Sequence, residues 1–281
     1  MKPAPFTYHR PTSVADAVAT LAEVGGEGKV LAGGQSLVPL LSMRLAAPEH
    51  LVDINTVPGL DRIEVTADGV SIGALVRDTA VEKDDEACTV LPLLRQGLAY
   101  VGHPTIRNRG TVVGSICHAD PAAEMPAVLA LLDGRLVAAS AAGEREVPAS
   151  ELFTGPLETS LRADELATAA VFPVPRGRVG TAVVEVARRH GDYAVCGVAA
   201  LVELTGGGDV ADARAAYISV ADRPVVLDFA SVGGDWQAAA ARARERFPCT
   251  GDIHASADYR RHLVGVLTKR TLAAAAANAA S

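Results

Sequence analysis

A chain of 281 residues, of which 49% are hydrophobic and 21% are charged, has enough apolar side chains for a packed core, which excludes extensive disorder. Its formal net charge of −7 argues against nucleic acid or an anionic membrane as the main partner, and an aromatic content of 4% leaves few rings on which bases could stack. The composition therefore indicates a globular protein whose main partner is neither nucleic acid nor an anionic membrane.

The sequence contains no sign of export or of a metal cluster. Its N-terminus lacks the apolar core of a signal peptide, and no apolar run reaches the roughly 18 residues that span a bilayer. The four cysteines are far apart and form no CxxC pair, so neither a zinc ribbon nor an iron–sulfur cluster is predicted, and no metal site is assigned. We expect a soluble, cytoplasmic protein with reduced cysteines.

In chain order, the N-terminal part alternates helices and strands. Apolar residues at helical spacing predict a first helix that Thr12 and Ser13 open and Gly25-Gly26 ends. The next predicted elements are strands at 30–31 and 51–54, a hairpin over 63–72, a helix over 91–101, a short helix over 126–132 and a hairpin over 135–147. Many turn residues and little periodicity over 102–124 predict a long, ordered loop there.

A change in composition divides the chain near Pro173. The stretch Pro173-Val174-Pro175-Arg176-Gly177 is the clearest candidate boundary. Beyond it, β-rich segments at 182–186, 195–204 and 215–220 precede helices at about 235–247 and 257–277, and the alanine-rich end is expected to fray. This order predicts an α+β fold with a mixed N-terminal part and a smaller C-terminal unit of strands followed by helices.

A short apolar strand near the start of the chain runs into two adjacent glycines. The segment reads Ala32-Gly33-Gly34-Gln35-Ser36-Leu37. Paired glycines let backbone N–H groups approach a ligand closely, because no Cβ intervenes, and Ser36 could cap a helix that begins at Leu37. Taken alone, the segment is either a plain turn or a phosphate-binding loop.

A second glycine-containing segment, about eighty residues later, favours phosphate binding. It reads Gly110-Thr111-Val112-Val113-Gly114-Ser115. Two such loops could hold a diphosphate from two sides with backbone donors, to which the hydroxyls of Ser36, Thr111 and Ser115 would add. Asp120 and Glu124 could accept hydrogen bonds from ribose or ribityl hydroxyls, or they could be a turn residue and a helix-start carboxylate.

Four basic residues near the second segment allow two interpretations each. Arg107 and Arg109 could pair with phosphate or form a solvated basic turn. His103 and His118 could suggest a metal, but no third ligand stands at a suitable spacing. Ordinary hydrogen-bonding histidines are therefore favoured.

A later turn and several absent motifs narrow the chemistry. In Arg188-Arg189-His190-Gly191-Asp192-Tyr193, the Tyr193 ring could stack on a planar ligand or gate it, or the segment could be a charged surface turn. No Gly-x-Ser-x-Gly, His-Glu-x-x-His or Gly-x-x-x-x-Gly-Lys-Ser/Thr motif is present, and a Rossmann Gly-x-Gly-x-x-Gly is absent as well. A dinucleotide would have to bind by another geometry.

Taken together, these segments resemble the FAD-binding medium subunit of molybdenum hydroxylases, the heterotrimeric relatives of xanthine dehydrogenase and aerobic carbon monoxide dehydrogenase. The similarity covers nearly the whole chain in order. It is carried by Ala32–Leu37, Arg107–Thr111, His118–Glu124, Arg188–Ala194 and Ala255–His262.

The resemblance implies a two-part FAD-binding domain of the vanillyl-alcohol-oxidase (PCMH) type over 1–174, with subdomains of about 1–56 and 57–174. A small C-terminal flavoprotein domain of strands and helices would occupy 175–281. In such proteins the two glycine-containing loops hold the FAD pyrophosphate, and the acids after the second loop approach the sugar part. We also expect Tyr193 to belong to the cofactor site, as a stacking or gating ring.

The implied function is that of an oxidoreductase subunit. A large partner with the molybdopterin cofactor would oxidise the substrate, and electrons would pass through [2Fe–2S] clusters of a small partner to FAD here and on to an external acceptor. The expected assembly contains two copies of each of the three subunits. Because the flavin supplies the redox chemistry, no catalytic side chain is assigned.

Two positions depart from the family pattern. Val113 stands where many members have glycine, so one close backbone approach is expected to be lost or shifted. Glu185 stands where many members carry a lysine, although others have glutamate. A carboxylate there would disfavour a flavin anion, so Glu185 is assigned no flavin contact. Two alternatives therefore stay open: a stand-alone FAD-dependent oxidase or dehydrogenase that uses His190 and Tyr193, and a non-enzymatic scaffold with a decayed flavin fold.

Overall fold

A computed structural model describes residues 2–281, and its N-terminal part is a small parallel sheet with two helices. The elements are β1 (Thr7–His9), α1 (Val14–Val24), β2 (Gly28–Leu31), α2 (Leu37–Met43) and β3 (His50–Asp53). The strands lie in the order β1-β3-β2 and both pairings are parallel. Since parallel strands end at the same edge, the segment after β2 and the residues after β3 are neighbours.

An antiparallel five-stranded sheet follows, with helices inserted between its strands. The elements are β4 (Ile63–Val65), β5 (Gly69–Gly73), α3 (Asp78–Lys83), α4 (Asp85–Val90), α5 (Pro92–Leu98), α6 (Pro104–Arg107), α7 (Val112–His118), α8 (Glu124–Leu131), β6 (Arg135–Ser140), β7 (Gly143–Pro148), α9 (Ala149–Leu152), β8 (Phe153–Gly155), β9 (Glu158–Thr159) and β10 (Leu166–Pro173). The strand order is β4-β5-β10-β6-β7, and β8 pairs with β9 alone. Both predicted hairpins are present, whereas the central strand β10 was not predicted.

The long loop predicted over 102–124 is wrong, because this stretch contains the short helices α6 and α7. Pro104 occupies the first turn of α6, and the Thr111 side chain accepts a hydrogen bond from the Gly114 N–H to cap α7. Helices of four and seven residues complete at most two turns, so they leave no helical periodicity to detect.

The C-terminal part is a four-stranded antiparallel sheet covered by two helices. Its elements are β11 (Arg178–Ala187), β12 (Ala194–Leu204), β13 (Val210–Ile218), β14 (Val225–Asp228), α10 (Trp236–Arg246) and α11 (Ala257–Ala280). The strands pair in chain order, α11 packs against β11 and β12, and α10 packs on α11. This arrangement, with the mixed N-terminal part, confirms the α+β prediction.

Strand β12 is buried on both faces and thereby joins the two parts of the chain. Ala199 and Leu201 belong to the core shared with the N-terminal part, whereas Val198, Ala200 and Val202 belong to the core under α10 and α11. Successive side chains of a strand point to opposite faces, so a continuous apolar run is what a doubly covered strand requires.

The alanine-rich end of the chain is docked, so the expected fraying is wrong. Helix α11 continues to Ala280, and the Asn278 side chain donates to the Thr181 carbonyl oxygen at 2.9 Å. A Cβ on Gly180 would lie 2.1 Å from the Ala275 carbonyl oxygen, so the helix lies directly on the backbone of β11. Throughout residues 2–281, no helix is both long and apolar enough to cross a bilayer.

Candidate functional site

The two glycine-containing loops touch each other through their backbones. A Cβ built on Gly33 would lie 2.4 Å from the carbonyl oxygen of Arg109 and 2.9 Å from the Cα of Gly110. The next residue, Gly34, has a φ of 73°, which side chains with a Cβ rarely adopt. Gly33 therefore allows the two loop backbones to approach each other closely, and Gly34 allows the turn that follows.

Two side chains that the sequence analysis did not select hold the loops together. Arg77 donates from Nη1 to the carbonyl oxygen of Arg109 at 2.9 Å and from Nη2 to Asn55 Oδ1 at 2.7 Å. Asn55 donates in turn from Nδ2 to the carbonyl oxygen of Ala32 at 2.9 Å. The signal for Asn55 was its position just after β3, at the edge where β2 also ends.

An open cleft of about 480 Å³ lies along the first loop. It is lined by Leu31, Ala32, Gly33, Gly34, Gln35, Val38, Pro39, Asp53, Asn55 and Arg109. Among the hydrogen bonds of the described chain, none uses the backbone N–H of Gly34, Gln35 or Ser36. The loop thus offers backbone donors beside a cleft.

Helix α2 begins at Leu37 as predicted, but Ser36 does not cap it with its side chain. The backbone of Ser36 is helical, with φ −98° and ψ −48°, whereas a capping residue is usually extended. Ser36 therefore lacks the predicted capping bond, and its neighbour Gln35 lines the cleft whereas Ser36 does not.

In the second segment, the apolar side chains face the core. Val112 and Val113 are fully or almost fully buried, so the Cβ of Val113 is directed into the core. A Cβ on Gly114 would lie 2.6 Å from Thr111 Oγ1, the atom that caps the helix. Gly110 is equally confined, because a Cβ there would lie 2.3 Å from Asp78 Oδ2. Ser115 lies inside α7.

The acids after the second segment are placed side by side. Asp120 forms a turn in which its Oδ1 accepts from the Ala122 N–H at 2.8 Å, and Glu124 is the first residue of α8. Burial, together with the charges of Asp78 and Asp120, raises the pKa of Glu124 to about 7. Tyr193 is 74% exposed, and partial burial of its hydroxyl with the nearby charges of Asp120 and Glu124 raises its pKa.

Two further acids in this region, the buried Asp78 and the partly buried Glu185, are incompletely hydrogen-bonded. Asp78 Oδ1 and Glu185 Oε2 have no hydrogen-bond partner in the part of the chain that the structure describes. Burial raises the pKa of Asp78 to about 7, and burial with a smaller effect of Glu124 raises that of Glu185 to about 8. The raised pKa favours the neutral form of Glu185 near pH 7 over a charged carboxylate.

The other basic residues have separate positions. Arg107 is neither a phosphate ligand nor solvated: it is buried, pairs with Glu82 at 3.0 Å and donates to the Val101 and Gly102 carbonyl oxygens. Arg109 is exposed and lines the cleft. The ring of His103 lies 6.4 Å from that of His190, so the turn with Tyr193 rests on the loop before α6.

A group with metal-ligand chemistry lies at the opposite end of the parallel sheet. Ligand atoms of Glu27, Glu49 and His50 all lie within 4.8 Å of one another. These residues precede or begin β2 and β3, whereas the cleft follows the carboxyl ends of those strands. Both glutamates are exposed, so the group is a surface cluster apart from the cleft.

Comparison with known proteins defines the class of this flavoprotein. Residues 4–175 match the family described as FAD binding domain in molybdopterin dehydrogenase, and residues 181–275 match the CO dehydrogenase flavoprotein C-terminal domain. The chain therefore belongs to the FAD-binding flavoprotein subunits of molybdenum hydroxylases, which are oxidoreductases. The predicted family, oxidoreductase class and FAD-binding domain are confirmed.

Individual relatives match over almost their whole length. The chain is 40% identical to the 6-hydroxypseudooxynicotine dehydrogenase complex subunit alpha of Paenarthrobacter nicotinovorans, over 98% of this chain and 96% of that subunit. It is 38% identical to the caffeine dehydrogenase subunit beta of Pseudomonas sp. (strain CBB1), over 98% and 96%. The structure of quinoline 2-oxidoreductase from Pseudomonas putida 86 superposes with a TM-score of 0.93 at 35% identity, over 100% of both chains.

Proposed function

We propose that this chain is the electron-transfer subunit of a heterotrimeric molybdenum hydroxylase. Its partners would be a large subunit with the molybdopterin cofactor and a small subunit with [2Fe–2S] clusters, assembled as two copies of each. When bound here, FAD supplies the redox chemistry between those clusters and an external acceptor. Support comes from relatives that are named as subunits of dehydrogenase complexes.

The contact between Gly33 and the Arg109–Gly110 backbone carries the proposal for this chain. The first of the two touching loops keeps the N–H groups of Gly34, Gln35 and Ser36 free of hydrogen bonds within the described chain, so it can bind a pyrophosphate without a charged side chain. We assign this role to the backbone of 32–37 and 110–115, within an FAD-binding domain over 1–174 and a C-terminal domain over 175–281. Arg77 and Asn55 keep the two loops at the required distance.

The remaining residues orient the rest of the cofactor. Asp120 and Glu124 would accept hydrogen bonds from sugar or ribityl hydroxyls, and the exposed ring of Tyr193 would cover the planar isoalloxazine. The raised pKa values of Asp78, Glu124 and Glu185 keep much of their charge neutralised near pH 7. A dianionic pyrophosphate bound beside these three acids would therefore meet less repulsion than three charged carboxylates would exert.

Purification of the tagged full chain, alone and with the chains that co-purify with it, tests the function. We expect one FAD per chain, molybdenum and iron in the co-purifying chains, and substrate-dependent reduction of an external dye only in the complete assembly. Turnover by the isolated chain with a small substrate would support the stand-alone oxidase or dehydrogenase instead. A folded chain that binds no flavin would support the scaffold.

A further inference from the structure

Arg260, in the first turn of α11, is a buried cation with an unusual set of partners. It is 6% exposed and donates from Nη1 to the carbonyl oxygens of Val195 at 2.7 Å and Ser219 at 2.9 Å. Its Nη2 pairs with Asp252 at 2.5 Å. One guanidinium thus ties the paired ends of β12 and β13 to the loop before α11.

Ser219 connects this cation to the N-terminal part of the chain. Its backbone has a φ of 65°, a conformation that is unfavourable for a residue with a Cβ and persists only where its surroundings impose it. Its N–H donates to the carbonyl oxygen of Pro121 at 2.8 Å, and its own carbonyl and hydroxyl oxygens accept from Arg260. The strained residue is therefore held from both sides.

The Ser219 contact lies within the segment that carries the two candidate sugar-binding acids. Pro121 directly follows Asp120 and precedes Glu124 by three positions. On the other side, the carbonyl oxygen of Ala119 accepts from the Leu157 N–H at 3.0 Å. The segment between α7 and α8 is thus hydrogen-bonded on one side to the hairpin β8–β9 and on the other to the C-terminal sheet.

The Val195 contact lies near the third candidate residue. Val195 follows Tyr193 by two positions, where the turn over 188–193 enters β12. Arg260 consequently holds both the strand behind Tyr193 and, through Ser219, the segment of Asp120 and Glu124. The pKa of Tyr193 responds to both acids, which agrees with a common location.

We propose that Arg260 is a positioning residue of the FAD site. From the opposite side of the C-terminal sheet, it fixes the position of the Asp120–Glu124 segment relative to Tyr193. The inference rests on the proposed function, since it concerns residues assigned there to FAD. It also gives a physical role to the segment Ala255–His262, for which the sequence suggested none. An arginine is required because a lysine ammonium is a single point that cannot reach the carbonyls of Val195 and Ser219 and the carboxylate of Asp252 together.

The test compares Arg260→Lys with Arg261→Lys in the full chain. Arg261 is the matched control, because it is the adjacent arginine and its ion pair is with the exposed Asp258. For each protein we would measure the FAD dissociation constant, the visible circular dichroism of the bound flavin, and hydrogen exchange of the peptide over 119–124 in the apoprotein. Should Arg260→Lys fold poorly, Asp252→Asn loosens the same guanidinium from an exposed surface position.

We expect Arg260→Lys to raise the FAD dissociation constant about tenfold or more, because it removes charge-assisted hydrogen bonds that order the segment. The flavin dichroism should change, and the 119–124 peptide should exchange faster than the rest of the C-terminal unit. Arg261→Lys should match the wild type in all three measurements.

Three other outcomes would each decide a point. Wild-type affinity, dichroism and exchange in a folded Arg260→Lys protein would overturn the inference alone. Faster exchange spread evenly over the C-terminal unit, with unchanged flavin dichroism, would also overturn it by showing a general structural role. A wild-type chain without FAD would instead refute the proposed function.

Discussion

Replacing Gly33 with alanine is expected to abolish tight FAD binding while leaving the fold largely intact. The new Cβ would lie 2.4 Å from the carbonyl oxygen of Arg109, whereas ordinary contacts begin at 3.4 Å. The two loops must therefore separate by about 1 Å, at an overpacking cost of about 1–3 kcal/mol to the free energy of unfolding. A displacement of about 1 Å takes the backbone donors out of the usual hydrogen-bond range of roughly 2.7–3.2 Å, and the loss of about 2.8 kcal/mol of such contacts raises the FAD dissociation constant about 100-fold.

The matched control for this change is Gly26→Ala. Gly26 lies in the same small unit, its φ is not positive, and an added Cβ would have no atom within 4 Å. Titration of the apoproteins with FAD gives the dissociation constants, and thermal unfolding of the same samples reports the fold. We expect Gly26→Ala to match the wild type in affinity. A folded Gly33→Ala protein with wild-type affinity would refute the assignment of the loop contact.

Three further changes address the supports of the site. Arg77→Met should destabilise the apoprotein by about 2 kcal/mol in urea unfolding and weaken FAD binding, because two charge-assisted bonds between the loops are lost; unchanged affinity would contradict this. Glu124→Gln should stabilise the apoprotein by about 2 kcal/mol at pH 8 and little at pH 4.5. The pKa of Glu124 in the folded state, about 7, exceeds its ordinary value of 4.5, so the wild type loses stability as the pH rises from 4.5 to 7. Equal stabilisation by Glu124→Gln at pH 8 and at pH 4.5 would contradict this prediction. Tyr193→Ala should leave the melting temperature unchanged, because the ring is 74% exposed, but should alter the visible flavin spectrum; an unchanged spectrum would remove Tyr193 from the flavin contacts.

Local signals in the sequence were sufficient for much of the architecture. Each of these features depends on residues that are close together in sequence. Examples are the capping hydroxyl of Ser13, the end of α1 at Gly25, and both hairpins of the five-stranded sheet. The two glycine-containing loops belong to this group, because close backbone approach is a property of the residue type. Short helices were harder to predict. The only sequence signals of α6 and α7 are one proline and one threonine cap, and neither helix is long enough to show periodicity.

The sequence by itself thus determined the class of fold, the family and the two glycine-containing segments, but not their contact or the cleft. Tertiary structure alone decided which side chains hold those loops and what charge the acids carry. Arg77 reaches a carbonyl 32 residues away, and Arg260 reaches one 65 residues away, so neither bond has a local signature. The pKa of Glu185 rises because β11 is buried against the rest of the chain, and burial depends on packing between segments distant in sequence. Composition and spacing predict neither these long-range hydrogen bonds nor the raised pKa, because both depend on which distant segments pack together in the folded chain.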